Sequence, residues 1–546
     1  MKIKFSLIAA SLFAVGSVFA QDEVAKDWFL KSPTKDNVQG VSIEETYSTI
    51  LKNQTNKTVI VAVIDSGVDY DHEDLKDVMW VNEDEIAGDG IDNDNNGYVD
   101  DIHGWNFIGG KDGSNVDSDN LEVARVYKHL KARFDGKTEA DIKGKKDKAE
   151  FARYMRAKED IESNLEEKNG NIEVYGGIVA MIGKLKTAIG KDDISADDLK
   201  EFKTDDEELQ RGLLVLENIM SRNPDLGEVE KELTNYVEYL QNSVNYNYNP
   251  DFDPRSTIVK DNYADSYEKG YGNNIYDGPD ASHGTHVAGI IAATRGNDIG
   301  MDGVADNVKI MTVRAVPNGD ERDKDVANAI IYAVDNGAQI INMSFGKSFS
   351  WDKEAVDKAV KYALKKDVLL VHAAGNSAQD NDSTDNFPND GFEKKGLFGP
   401  KMAKNWMEIG ALDWKGGEKS PASFSNYGKG NVDVFAPGVD IYSTTPDDNY
   451  DSYQGTSMAA PVVAGVAAVL RSYYPDLTAT QVKEIIMQSV DPIAGKVRKP
   501  GTKETVNFSE LAVSGGSINA LKAVKLAEKT KGKKKGVTRP AKKDRA

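Results

Sequence analysis

Beyond residue 58 the chain alternates short apolar runs with segments whose apolar residues recur every three or four positions. That alternation is the pattern of a parallel sheet with helices on its faces. Val59-Ile60-Val61-Ala62-Val63-Ile64 is apolar throughout, as a strand buried on both faces must be. Comparable runs lie at 308–316, 339–345, 368–372 and 432–436. Between them Val326, Ile330, Ala333 and Val334 share one helical face, with Gly337 placed to cap its C-terminus, and Val356, Val360, Ala363 and Leu364 repeat the spacing. The predicted fold class is α/β.

Residues 115–255 break the alternation. They are poor in glycine and rich in Lys and Glu, and Leu213, Leu216, Ile219 and Met220 stand at helical spacing behind a capping box read at Thr204 and Glu207. A helical insertion is predicted there, splitting a catalytic domain into 59–114 and 256–527; it is a candidate exosite or lid, or else a decoration. Residues 21–58, with Trp28-Phe29 and the periodic Ile43, Tyr47 and Ile50, read as a packed lead-in rather than a removable chaperone. Residues 528–546 are basic and predicted to be a solvated, disordered tail. Residues 1–20 carry Lys2 and Lys4, an apolar run from Phe5 and Val18-Phe19-Ala20, the three parts of a cleaved export signal. The run is shorter than the roughly 20 residues of a membrane span, so a secreted or periplasmic protein with no membrane-spanning segment in its mature chain is expected.

Composition narrows the chemistry. The length of 546 residues allows three to four domains on a prior of roughly 150 each. With 68 Lys and Arg against 89 Asp and Glu, the net charge is -21, which argues against nucleic acid or anionic lipid as a partner. Cysteine is absent, so disulfides, a thiol nucleophile and thiolate metal sites are excluded, leaving Ser, Thr, His and carboxylates.

Three short motifs are ambiguous singly. Asp65 ends the first strand, where open α/β sheets bind ligands, or it caps a helix. His283 opens an apolar helix within Ser282-His283-Gly284-Thr285-His286-Val287-Ala288-Gly289, as a residue leaning over a cleft, a core histidine, or a metal ligand with His286. Ser457, in Gly455-Thr456-Ser457-Met458-Ala459-Ala460-Pro461, sits where a turn enters a buried helix, within the field of its free N–H groups, or is an ordinary cap.

Together, in the order Asp, His, Ser, they match one known triad topology, and the chain resembles the subtilisin-type serine peptidases, the subtilases, over roughly 59–110 and 276–527. The resemblance implies a doubly wound, mainly parallel sheet with helices on both faces and a serine endopeptidase acting on polypeptides. It makes Ser457 the nucleophile, His283 the general base, Asp65 the orienting carboxylate, and Asn376, in Ala373-Ala374-Gly375-Asn376, the oxyanion donor. Ser344, Phe345 and Gly346, with Ala374 and Gly375, would line the site for an extended substrate, and Asp385, in Asp385-Asn386-Phe387-Pro388, is a candidate partner for a basic substrate side chain. Alternatives from this sequence are a catalytically silent peptide-binding protein on the same fold and a narrow-specificity processing protease.

Structural calcium is expected, and no organic cofactor. Asp74 and Asn297 side chains with the carbonyls of Ile299 and Met301 resemble one subtilase calcium loop, against the reading of a plain glycine-containing loop. Separately, Asp92, Asp94, Asn96, Tyr98 and Asp100 alternate oxygen-bearing positions around Gly97, as in a calcium loop. It departs from an EF-hand at His103, where Glu is expected; the other reading is a solvated acidic turn.

Overall fold

The computed structural model describes residues 24–221, 223, 225–394 and 400–536. The export signal expected at 1–20 and the last part of the tail lie outside the described residues. Two compact units are present, one formed by residues 158–249 and the other by 25–157 with 250 onward.

In the larger unit the lead-in packs as expected. Trp28, Phe29 and Leu30 are buried, the Trp28 indole donates to the Asp440 carbonyl at 3.0 Å, and α1 (Ile43–Thr46) continues into a π-helical turn at Tyr47–Leu51. Then come β1 (Val59–Asp65), β2 (Gly104–Asn106) and α2 (Glu122–Phe134). After the inserted region follow α3 (Ser282–Ala292), β3 (Val308–Arg314), α4 (Asp323–Asp335), β4 (Ile340–Met343) and α5 (Lys353–Lys365). The last core elements are β5 (Leu369–Ala373), β6 (Trp406–Leu412), β7 (Val434–Pro437), the hairpin β8 (Ile441–Thr445) and β9 (Asn449–Tyr453), and α6 (Thr456–Tyr473).

The central sheet runs β7-β6-β5-β4-β1-β3-β2, all parallel, and is extended beyond β7 by the short strands Gly516–Ser517 and Asp491–Pro492. The strand β1 is buried throughout apart from Ile60, because its neighbours β3 and β4 and the helices leave neither face to water. Ala62 and Ile64 share a core cluster with residues of α4 and α5, whereas α3 and α6 pack on each other and on β1. Gly337, at φ 85°, ends α4 as predicted, with Ala338 N–H returning to the Ala333 carbonyl. The chain leaves β1 toward β3 on one side and later returns to β4 on the other, so the C-terminal end of β1 is a switch point of the topology, the place where such sheets form a crevice.

The smaller unit is helical. A helix over Lys145–Ile189 runs into it, followed by Ala196–Glu201, Glu207–Met220 and Leu226–Asn242, around a core of Ile182, Leu185, Leu199, Leu216 and Met220. Its boundaries are narrower than 115–255, since α2 docks on the larger unit through a buried ionic network. The capping box expected at Thr204 and Glu207 is not what starts the third of these helices. Asp206 caps it, accepting from the N–H groups of Glu208 and Leu209, while the Thr204 hydroxyl accepts from Asp206 N–H. A carboxylate at the position directly before the helix outcompetes the hydroxyl of Thr204 further out. The start of the tail also differs from a free chain: Lys531 and Lys533 backbone groups bond Gln481, and Lys534 bonds the Asp476 carbonyl and lies 3.3 Å from Asp367.

Candidate active site

Asp65 ends β1 and His283 occupies the first turn of α3. The two meet: Nδ1 of His283 lies 2.6 Å from Asp65 Oδ1, which also accepts from Ser66 N–H at 2.8 Å. The second oxygen, Oδ2, is buried without a hydrogen-bond partner, so the imidazole is the main group answering the carboxylate. The Asp65 side chain is 2% exposed and that of His283 39%, so the imidazole is open to solvent and the carboxylate sealed. Burial works against the charged imidazole, but the charge of Asp65 and its hydrogen bond prevail and hold His283 above its ordinary pKa. The close approach of α3 to β1 needs Gly284, because a Cβ there would sit 2.0 Å from the Gly67 carbonyl oxygen.

His286 does not serve as a metal ligand beside His283. It is buried, with Nε2 3.1 Å from the Asp451 carbonyl and its ring stacked on Tyr453, and burial pushes it down to about 3.

Ser457 is the second residue of α6. Its hydroxyl donates to the Ser344 carbonyl at 3.1 Å, and Ser344 Oγ donates back to the Ser457 carbonyl at 2.9 Å. The hydroxyl proton is therefore turned toward the segment that follows β4, not toward His283. Asn376 is anchored beside Ser457 through Thr456. Its Oδ1 accepts from Thr456 N–H at 2.8 Å and from the Thr456 hydroxyl at 2.9 Å, which fixes the amide and leaves Nδ2 available on an exposed side chain. Gly375 before it has φ 106°, and a Cβ there would meet Asn426 Nδ2 at 2.6 Å.

Ser457, Asn376, Ser344, Phe345, Gly346 and Gly375 line one cleft of about 290 Å³, with Asp385 and Asn386. Ala374 lies beneath, its carbonyl accepting from Asn381, Asn386 and Asn426 side chains at 3.0, 3.0 and 2.9 Å. Asp385 is not a free anion there: Arg156 stands 3.5 Å away, with both side chains more than half exposed. The opposite wall, 319–321, is held from behind. Arg125 of α2 donates to the Asp320 and Glu321 carbonyls at 3.1 and 3.2 Å, and the Lys347 ammonium to the Glu321 carbonyl at 2.6 Å and to Asp323 at 2.8 Å.

The sequence pattern did not reveal Asn426, Arg125 or Lys347, which lie in no motif. Nor did it reveal Arg314, which ties Ser66, Asn106 and Val116 together behind Asp65.

The two loops proposed for calcium present hard oxygen donors. Asp74 is fully buried, accepting from Asn297 Nδ2 at 2.7 Å and from Met301 N–H at 3.3 Å, and burial raises its pKa. The loop is thus gathered on Asp74 as the resemblance implies, but Met301 reaches it through its N–H and Ile299 N–H bonds Asn297 Oδ1 at 3.2 Å. Turning the Asn297 amide would present carboxylate, amide and carbonyl oxygens, a set that fits calcium.

In the second loop the grouping differs from the alternating positions. Asp92 accepts from Asn96 and Gly97 N–H, and Asn96 Oδ1 from Tyr98 N–H; Asp100 turns to the N–H groups of Gly88 and Gly90. Of the expected residues only Asp94 joins the carboxylate cluster, whose other members are Glu85 and Asp101, all with oxygens within 4.8 Å. Burial pushes Asp101 up to about 6. Short-range bonding to the turn takes up Asp92 and Asp100, and Glu85 likewise accepts from the N–H groups of Asn93, Asp94 and Asp100; Glu85, Asp94 and Asp101 are the carboxylates whose oxygens lie close together.

Comparison with known proteins agrees with this architecture. Residues 56–509 match the model of the subtilase family, and the chain belongs to that family. It is 42% identical over 231 residues to a thermophilic serine proteinase of Bacillus sp. (strain AK1), covering 42% of this chain and 52% of that protein. It is 39% identical over 204 residues to subtilisin DY of Bacillus licheniformis, covering 37% and 67%. It is 37% identical over 214 residues to thermitase of Thermoactinomyces vulgaris, covering 39% and 68%. The chain spans about half the length of the first two curated relatives it matches.

Proposed function

We propose that this protein is an exported serine endopeptidase that hydrolyses extended polypeptide segments through an acyl-enzyme on Ser457. The observation that carries the reading is the sealed Asp65 bonded to the half-open His283, in a chain of the subtilase family whose Ser457 and Asn376 share one cleft. With substrate bound, the Ser457 hydroxyl turns from the Ser344 carbonyl to His283, which takes its proton as the oxygen attacks the scissile carbonyl and returns it to the leaving amine. The oxyanion is met by Asn376 Nδ2 and Ser457 N–H. The extended segment Ser344–Gly346 that follows β4 and the segment 319–321 hold the substrate extended. Export follows from the sequence of residues 1–20; none of the described helices is long and apolar enough to cross a membrane.

The direct test is covalent labelling by a serine-directed phosphonate. Stoichiometric labelling of the wild type at Ser457, mapped by mass spectrometry, is the expected result; a folded, calcium-loaded protein that stays unlabelled and leaves denatured proteins uncut would be a silent binding protein instead.

Two further outcomes are expected. Asn376→Leu lowers kcat by about 10² to 10³ with little change in KM, the size known for this donor in subtilisin. Calcium is the second proposal, held by Asp74 with Asn297 and by Glu85, Asp94 and Asp101. At free calcium about 1,000 times Kd each site contributes about 4 kcal/mol, so chelation should lower Tm by about 5 °C per site. An unchanged Tm in chelator would remove the ions from the account.

A further inference from the structure

Two neighbouring strands of the sheet carry a buried polar pair outside the site described above. His372 of β5 and Glu408 of β6 are paired in register and both are buried. Glu408 accepts from His372 Nδ1 at 3.0 and 3.1 Å, from the Trp406 indole at 2.8 Å and, more weakly, from Asn386 Nδ2 at 3.4 Å. A carboxylate inside a sheet costs stability unless it is well compensated, and neither member of this pair touches the proposed triad.

The link to the cleft is Asn386, which lines it together with Ser457 and Gly346. Its Nδ2 is committed to the Ala374 carbonyl at 3.0 Å and to Glu408, so the amide is held with Oδ1 turned the other way. A methyl group on Gly346 would lie 2.9 Å from that oxygen, so Asn386 Oδ1 packs beside Gly346 in the lining of the cleft, a closeness that only a residue without a Cβ allows.

The surroundings are acidic. Asp433 is answered by Lys483 at 2.9 Å, and burial, with the charges of Asp433 and Glu408 and against that of Lys483, pushes nearby Asp390 up to about 6. Asp320 and Glu321 also line the cleft; burial raises both carboxyls, that of Glu321 to about 8. The cations at the cleft are already engaged, Lys347 by Asp323 and the Glu321 carbonyl, Arg156 by Asp385 and the Ser348 carbonyl.

We infer that the cleft takes a positively charged substrate side chain, lysine or arginine, whose nitrogen donates to Asn386 Oδ1, and that Glu408 is a positioning residue that sets this preference through Asn386. The inference rests on the peptidase reading and names its substrate class. It differs from a preference set by Asp385, which Arg156 neutralises on the exposed rim, where such pairs are weakly held.

The test uses the full chain and two peptides that differ only at the residue whose carbonyl is attacked, lysine in one and norleucine in the other. Labelling by a small sulfonyl fluoride first counts competent Ser457 in each preparation. Unlabelled wild type would overturn the peptidase reading itself, and with it this one. In labelled wild type, kcat/KM is expected to favour lysine by about tenfold or more; a ratio of about one or below overturns the inference while leaving the peptidase intact. Asn386→Leu should bring the ratio to about one, and Glu408→Gln, which keeps the shape but removes the charge, should lower it several-fold. A purely structural pair would change the labelled fraction and leave the ratio alone, so a wild-type ratio kept by both labelled variants overturns the assignment to Asn386 and Glu408.

Discussion

Replacing Ser457 by alanine is expected to lower kcat on a fluorogenic peptide by about 10⁶, the loss known for the equivalent nucleophile of subtilisin, with KM and Tm almost unchanged. The structure explains why the change should be so localised. The turn into α6 is held by other atoms: Gly455 N–H bonds the Gly438 carbonyl, Thr456 bonds Asn376 through its N–H and hydroxyl, and the Ser344 hydroxyl bonds the Ser457 backbone carbonyl. Only the single bond from Ser457 Oγ to the Ser344 carbonyl is lost, worth about 1 kcal/mol. Alanine is also a better helix former than serine. The apolar helix behind, buried from Met458 to Tyr473, keeps its packing. A variant that unfolds several degrees earlier would show that Ser457 carries structure; one that retains activity within about tenfold of wild type would remove it from the nucleophile's role.

The parts of the site visible in the sequence are those fixed by local chain geometry. Asp65 stands at the end of an all-apolar strand, His283 and Ser457 at the first turns of two helices of small residues, so motif and position coincide. Groups assembled from distant segments were not visible. Glu85 and Asp101 join Asp94 because the loop folds back on itself, and spacing alone counted Asp92 and Asp100 instead, whose carboxylates close their own turns. The strand β6 was missed for a related reason: Glu408 and Gly410 interrupt its apolar run, and the partners that make a buried glutamate tolerable, His372, Trp406 and Asn386, lie on other elements or two residues away. The same holds for α2. Its residues read as part of a polar insertion, yet Glu122 and Arg125 are buried against Asp119, Asp320 and Lys347, a pairing that no hydrophobic pattern announces.

Asp65→Asn should cost about 10⁴ in kcat and also move the pH profile, and the direction of that move is the sharper test. The working base is neutral His283. In the wild type the charge and hydrogen bond of Asp65 outweigh burial and hold the imidazole above its ordinary value of about 6.5, so activity should rise with pH through a pKa higher than that. Asparagine removes the charge, and burial, the largest influence on this residue, is then left to act almost unopposed. The acid limb of kcat/KM should therefore shift to lower pH even as the plateau falls. The plateau falls because an amide that presents N–H toward Nδ1 favours the tautomer with its proton on Nε2, where the base must be free to accept one from Ser457. A profile displaced toward higher pH, or a plateau within about tenfold of wild type, would mean that His283 is tuned by something other than Asp65.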